Sequence, residues 1–294
     1  MEAWQAIVLG LIEGITEYLP VSSTGHLLVA QHFMGIGTQG KLDKAAADAF
    51  AICIQGGAIL AVAGLYWKRV VQMMSGVIGR NEEGLKMAIN IFVGFMPAVV
   101  IGLLFNDWIE SKLFGIWPIV TAWVVGGLLI LIFSFHASNK HEGKSGIELV
   151  NMTWKMALII GLLQCVAMWP GTSRSLMTIA GGLMVGLSVK AAIEYSFLLG
   201  VLTLTAATIK KAIWKVPGIG SEYDVWFGGT KLMWENYGFA PLMVGVATAT
   251  ISAVLAVKWL VSYLQRRGMR PFGWYRLAIG VVVAGLTMGG LVEF

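Results

Sequence analysis

The sequence has 294 residues, of which 57% are hydrophobic and only 13% charged, about half the ~25% charged share of a soluble domain, and its mean hydropathy is +0.76. This excludes a two-domain soluble protein of the same length, and apolar runs of helical length exclude a β-barrel built from ~10-residue alternating segments. The formal charge of +5 does not point to nucleic acid, because the basic residues fall in short segments between apolar runs, where they set membrane topology.

Residues 4–19 predict an apolar helix, short against the ~20 residues of a full span. It stops before Pro20, which disfavours helix at the residue preceding it. Ser22 or Ser23 then caps a second short helix over 24–35. Two short helices joined at a polar break predict a re-entrant hairpin. Irregular backbone at membrane depth is tolerated only where protein or a water-filled cavity receives it. Met1-Glu-Ala-Trp4 carries no basic n-region and no small-residue cleavage site, so no removable signal peptide is expected. Loop 36–45 leads to spans at 46–66, 86–105 and 115–135. The polar stretch 136–153 marks the boundary between halves. Residues 154–169 and 173–187 repeat the short–break–short pattern around Pro170. Spans at 191–209, 239–262 and 273–291 finish the chain. The long loop 210–238 holds Trp214, Trp226 and Trp234, suited to anchoring at the interface.

The halves resemble one another. Gly10-Leu-Ile-Glu13 answers Gly161-Leu-Leu-Gln164, Pro20-Val-Ser-Ser23 answers Pro170-Gly-Thr-Ser173, and Lys44-Ala-Ala-Ala-Asp48 answers Lys190-Ala-Ala-Ile-Glu194. Three matches in order predict a duplication. With hairpins returning to their own side, loops 67–86, 136–155, 188–190 and 263–276 share one face. They carry twelve basic residues, Arg276 among them, against seven on the other face. The richer face is expected in the cytoplasm, with both termini outside. Three spans between the hairpins then invert the second repeat relative to the first, as in inverted-repeat transporters.

Ionisable side chains at membrane depth carry a functional reading. Arg174 cannot lose its charge, so it pairs with a carboxylate or receives an anion. Thr172-Ser173-Arg174 would begin a helix, whose free N–H groups and dipole favour anions, and the helix beginning near Ser23 offers the same. Glu13 and Glu17 stand at i, i+4 on one helix face. Together they could hold a divalent metal with substrate phosphates, or one could act as a base. Ser23 and His26, at i, i+3, read as nucleophile and base. Each also has a plainer reading: an ion pair for Arg174 and the carboxylates, capping for Ser22, Ser23 and Thr24, a core histidine for His26. His32, His136 and His141 lack such neighbours and are expected in structural or solvent roles. Gln55 and Gln164 line a cavity or make packing hydrogen bonds. Cys53 and Cys165 read as small buried hydrophobes, with no CxxC or Cys/His zinc spacing.

The stretch from Glu13 to Leu27 and Pro170-Gly-Thr-Ser-Arg-Ser175 resemble the two signature motifs of the undecaprenyl-diphosphatase (bacitracin-resistance protein) family. The resemblance implies an all-α integral membrane protein with six transmembrane helices, two re-entrant hairpins and inverted repeats over 1–135 and 154–294 of a single membrane domain. It implies an enzyme of the bacterial inner membrane that removes the terminal phosphate of C55-isoprenyl diphosphate, with its site open to the periplasm. By motif position it implies catalytic roles for Glu13, Glu17, Ser23, His26 and Arg174. Ser173 also matches a functional position of the family, with Ser22, Thr24 and Thr178 nearby; together with Thr172 these are expected beside Arg174 in substrate binding, and the divalent ion that Glu13 and Glu17 could hold is expected to be Mg or Ca. The expected partners are the isoprenyl diphosphate lipid and membrane lipids, with a homodimer as a further option and no nucleic acid. The family usually has glycine where Leu176 stands, which is expected to alter packing near the phosphate. The rival expectation is a transporter or flippase without hydrolysis, which the repeats suit equally but which needs no nucleophile.

Overall fold

The computed structural model describes residues 1–138, 146–213 and 226–292. Its helices in order are α1 (Ala3–Thr16), α2 (Ser23–Phe33), α3 (Lys41–Leu65), α4 (Trp67–Val77), α5 (Glu82–Leu113), α6 (Ile116–Ser138), α7 (Trp154–Val166), α8 (Arg174–Met184), α9 (Val189–Ile213), α10 (Gly228–Tyr237), α11 (Phe239–Arg267) and α12 (Arg270–Met288). The one bridge of β type among the described residues joins Ile147 to Leu187. Among the described residues six helices, α3, α5, α6, α9, α11 and α12, are long and apolar enough to cross a membrane. The chain is a multi-pass, all-helical membrane protein, and its six spans fall where the hydropathy put them.

Three features differ from expectation. Residues 67–77 form α4 instead of a loop, because its apolar residues recur on one face: Trp67, Val71, Met74 and Val77 are exposed together. Part of the loop 210–238 is α10. Arg276, counted above with the loop charges, lies inside α12 and is wholly buried. Trp214, Lys140, His141, Lys144 and Lys215 lie outside the described residues. Trp226 and Trp234 are exposed, as interface anchors would be.

The short helices α1 and α7 do not pack mainly on their immediate neighbours. α1 lies against α11, and α7 against α5. Glycine allows both approaches. A Cβ added at Gly10 or Gly14 would overlap the α11 carbonyls of Gly245 or Ala249, and one at Gly161 would overlap the carbonyl of Gly94 on α5. Membrane helices have no hydrophobic drive to associate, so such small-residue contacts carry the packing. The first short helix of each half is thus held by a span of the other half.

At the centre, Tyr18, Val21, Leu176, Ile179, Ile193 and Phe197 form one buried apolar cluster with Ala253 and Val257. Leu176 is fully accommodated there. The outward faces of the spans, such as Leu103, Leu104 and Val281, remain apolar and exposed, as a lipid environment requires.

Candidate active site at the two helix breaks

The chain leaves helical geometry between α1 and α2 and again between α7 and α8, and the two breaks touch. Each break ends on a serine with an unusual backbone. Ser22 has φ 73° and ψ 104°, and Ser173 has φ 76° and ψ 114°. Non-glycine residues rarely hold positive φ, and such strain gathers at functional sites at about 1–3 kcal/mol each. Both serines are N-caps, so the residues they present as the first of the following helices are Ser23 and Arg174.

The interruption frees carbonyls that no helix can satisfy, and side chains from other elements take them. Leu19 O accepts from Ser175 Oγ at 2.8 Å and from Ser173 Oγ at 3.3 Å. Pro20 O accepts from Arg276 Nη1 at 3.2 Å and Val21 O from Trp123 Nε1 at 2.9 Å. Ser22 O accepts from His26 Nδ1 at 2.6 Å. Buried backbone without such partners would cost several kcal/mol per group in hydrocarbon. On the second break, Gly171 O accepts from Arg276 Nη2 at 2.8 Å. Gly171 itself, at φ 94°, has no room for a Cβ beside Ile119 and Ala122 of α6.

Charge gathers where the breaks meet. Arg174 Nη2 donates to Glu17 Oε1 at 3.3 Å, and Nη1 donates to the Ser196 carbonyl at 3.0 Å. Its guanidinium lies 5.7 Å from the centre of the Tyr18 ring, and its Nε is buried without a partner. A Cβ at Gly200 would occupy the guanidinium's seat, so glycine there admits the arginine. The other Glu17 oxygen, Oε2, accepts from Ser23 Oγ at 2.5 Å. Glu13, one turn earlier, is 1% exposed, and its Oε1 makes no hydrogen bond.

The geometry thus brings together Glu13, Glu17, Ser23 and Arg174. Ser23 meets Glu17 and not His26: among the described hydrogen bonds, none joins the serine to the imidazole. His26 is held elsewhere. A carbonyl only accepts, so Nδ1 carries the proton to Ser22 O, and Nε2 then accepts from the Tyr275 hydroxyl at 2.7 Å. The Trp123 ring stands edge-on to the imidazole at 5.2 Å.

Of the remaining expected residues, Ser22 and Thr172 are buried at the two breaks and Thr24 is exposed. Ser173 Oγ accepts from Leu176 N at 3.3 Å, capping α8. Thr178 is turned away from the cluster. Its hydroxyl donates to the Arg174 carbonyl at 2.9 Å and meets Ser196 Oγ at 2.6 Å, fastening α8 to α9. Sequence reasoning missed Tyr275, Arg276, Trp123 and Ser196. The signal available was a tyrosine–arginine pair inside the span read at 273–291, with Arg276 six positions past Arg270 and apolar residues following it.

This arrangement of paired carboxylate, hydroxyl and arginine at two helix N-termini belongs with long, specific sequence similarity. The family described as bacitracin resistance protein BacA matches residues 6–282. The chain belongs to the BacA family. It is 41% identical over 290 residues to undecaprenyl-diphosphatase 2 of Rhodospirillum rubrum, covering 99% of this chain and 97% of that protein. It is 38% identical to the undecaprenyl-diphosphatase of Sorangium cellulosum over 96% of this chain and 86% of that one. Undecaprenyl-diphosphatase 3 of Acinetobacter baylyi is 37% identical, with 96% and 97% covered. The BacA match runs through both breaks and five spans and ends inside the sixth, so the likeness is to nearly the whole molecule and not to one motif.

Proposed function

We propose that this protein hydrolyses undecaprenyl diphosphate to undecaprenyl phosphate and inorganic phosphate, returning the carrier lipid to peptidoglycan synthesis and conferring bacitracin resistance. The observation that carries the reading is the Arg174–Glu17–Ser23 chain at the meeting of two broken helices, in a member of the BacA family. A lipid with a diphosphate head is what an intramembrane anion site with an apolar surround would take.

Arg174 binds the diphosphate, with the open N–H groups of α2 and α8 aimed at the same charge. Ser22 caps α2 without a side-chain hydrogen bond, which leaves that first turn free for an anion. Ser23 Oγ attacks the terminal phosphorus as its proton passes to Glu17 Oε2. The bond to the bridging oxygen breaks, and undecaprenyl phosphate leaves. Water then cleaves the phosphoserine, releasing phosphate and returning the proton to Ser23. His26, fixed by Ser22 O and Tyr275, shapes the rim of the site. Phosphoryl transfer of this kind depends mainly on positioning and charge neutralisation.

A divalent cation, Mg or Ca, fits the donor set in one respect: Glu13 offers a buried, unpartnered carboxylate oxygen one turn from Glu17. Among the described residues no three His, Cys, Asp or Glu side chains cluster. The two glutamates would therefore share the ion with substrate phosphates and water, where it would neutralise developing charge.

We read α1–α2 and α7–α8 as re-entrant hairpins of two inverted repeats, 1–135 and 154–294, within one membrane domain. The support is the matching pair of strained serines and the reciprocal packing of α1 on α11 and α7 on α5. The excess of basic residues on the opposite face supports a site whose mouth opens to the periplasmic side of the bacterial inner membrane. Purified protein in detergent should release phosphate from undecaprenyl or farnesyl diphosphate, and Arg174→Ala should nearly abolish release. Absence of release with any prenyl diphosphate, alongside passage of labelled lipid across liposomes, would replace hydrolysis with transport.

A further inference from the structure

We infer that Arg276 is a positioning residue that sets the distance between the nucleophile and the phosphate clamp, a role that rests on the hydrolytic reading above. The guanidinium is wholly buried and has no carboxylate within ion-pair reach among the described residues. Its charge is met by three carbonyls: Pro20 O at 3.2 Å, Ala122 O at 2.7 Å and Gly171 O at 2.8 Å.

Two of these lie in the two breaks, in the same register. Pro20 stands three residues before Ser23, and Gly171 three residues before Arg174. A single planar group therefore joins the peptide that leads into the nucleophile to the peptide that leads into the clamp. The third carbonyl, on α6, anchors the fork to a full span. Glycine at 126 makes the seat, since a Cβ there would overlap Nη2. The fork is a shape requirement as well as a charge requirement. Lysine carries the charge on one nitrogen and cannot hold carbonyls of two breaks and a span in one plane.

Among the described contacts Arg276 touches none of Glu17, Ser23 or Arg174, so its loss should change alignment more than binding. Small misplacements of reacting groups cost turnover steeply, on the order of 100-fold for an ångström. Wild-type protein and Arg276→Lys are compared in detergent for phosphate release from farnesyl diphosphate, for thermal midpoint, and for amide exchange in peptides covering 17–24 and 169–176. The expected result for Arg276→Lys is kcat lower by about 30-fold or more, KM held within about threefold, and faster exchange in both breaks together. Near-normal kcat, or a raised KM at unchanged kcat, overturns the inference, as does faster exchange in one break alone. If Arg276→Lys does not stay folded, Gly126→Ala serves as the second variant, with loss of kcat at steady KM supporting the role and wild-type kcat refuting it. No phosphate release from the wild type would sink the functional reading, while the exchange data would still report whether Arg276 couples the breaks.

Discussion

Ser23 and Arg174 hold equivalent places, each the first residue of a short helix behind a serine at positive φ. Ser22 makes no side-chain cap bond, so its strain is not offset locally. Ser22→Gly should therefore leave the thermal midpoint unchanged or raised, whereas Ser22→Val should lower stability by about 1–3 kcal/mol. Thermal unfolding in one detergent separates the two, and an equal loss in both would show that the serine side chain matters more than its backbone. The 2.5 Å contact between Ser23 and Glu17 bears on the chemistry. Ser23→Ala should cut turnover by roughly 1,000-fold, the scale of losing a nucleophile together with its base. Quenched reactions with labelled substrate should trap phosphate on Ser23 in the wild type. Loss of label with activity retained in Ser23→Ala would hand the attack to water.

The elements show what a sequence can and cannot announce. Six spans and two breaks were legible because length, hydropathy and Pro20 or Pro170 act locally. α4 was not, because its few turns are polar on one face and read as a loop at the resolution of span length. Ser23, His26 and Arg174 stood out in the sequence as candidates, but their hydrogen-bond partners did not. Spacing of i, i+3 puts Ser23 and His26 on one face, yet the freed Ser22 carbonyl captures Nδ1, and Glu17, across the break, captures the serine. Arg276 was misplaced by a neighbouring loop rule that counts charges near span ends. Packing between elements is testable with adjacent glycines on α3. A Cβ at Gly57 would overlap Val246 O of α11, while Gly56 faces open space within 4 Å. Gly57→Ala should destabilise by roughly 1–3 kcal/mol through forced separation of α3 from α11. Gly56→Ala should be neutral, or stabilising by up to about 1 kcal/mol from helix propensity. Equal effects would mean that α3 does not approach α11 as closely as the structure places it.

At the scale of the molecule, the halves are interlocked, since α11 holds α1 and α5 holds α7. Each half relies on a span of the other to cover its first short helix, so the two are expected to fold as one unit. Orientation then rests on loop charge. With Arg276 inside α12, the richer face keeps eleven basic residues against seven, so the bias survives, though narrowed. The charges that remain, such as Arg266 and Arg267 at the end of α11 and Arg270 at the start of α12, lie at span ends, where the rule has force. Labelling tests the result directly. Cys53 and Cys165 are free and only half-buried, so both are first replaced by alanine. Single cysteines at Thr38, between α2 and α3, and at Arg267, at the end of α11, should then divide cleanly. A membrane-impermeant thiol reagent applied to intact spheroplasts should mark position 38 and spare position 267 until the membrane is opened. The reverse pattern would turn the protein over and put the mouth of the site at the cytoplasmic leaflet. Labelling of both positions from outside would break the odd count of crossings, α3, α5, α6, α9 and α11, that separates them.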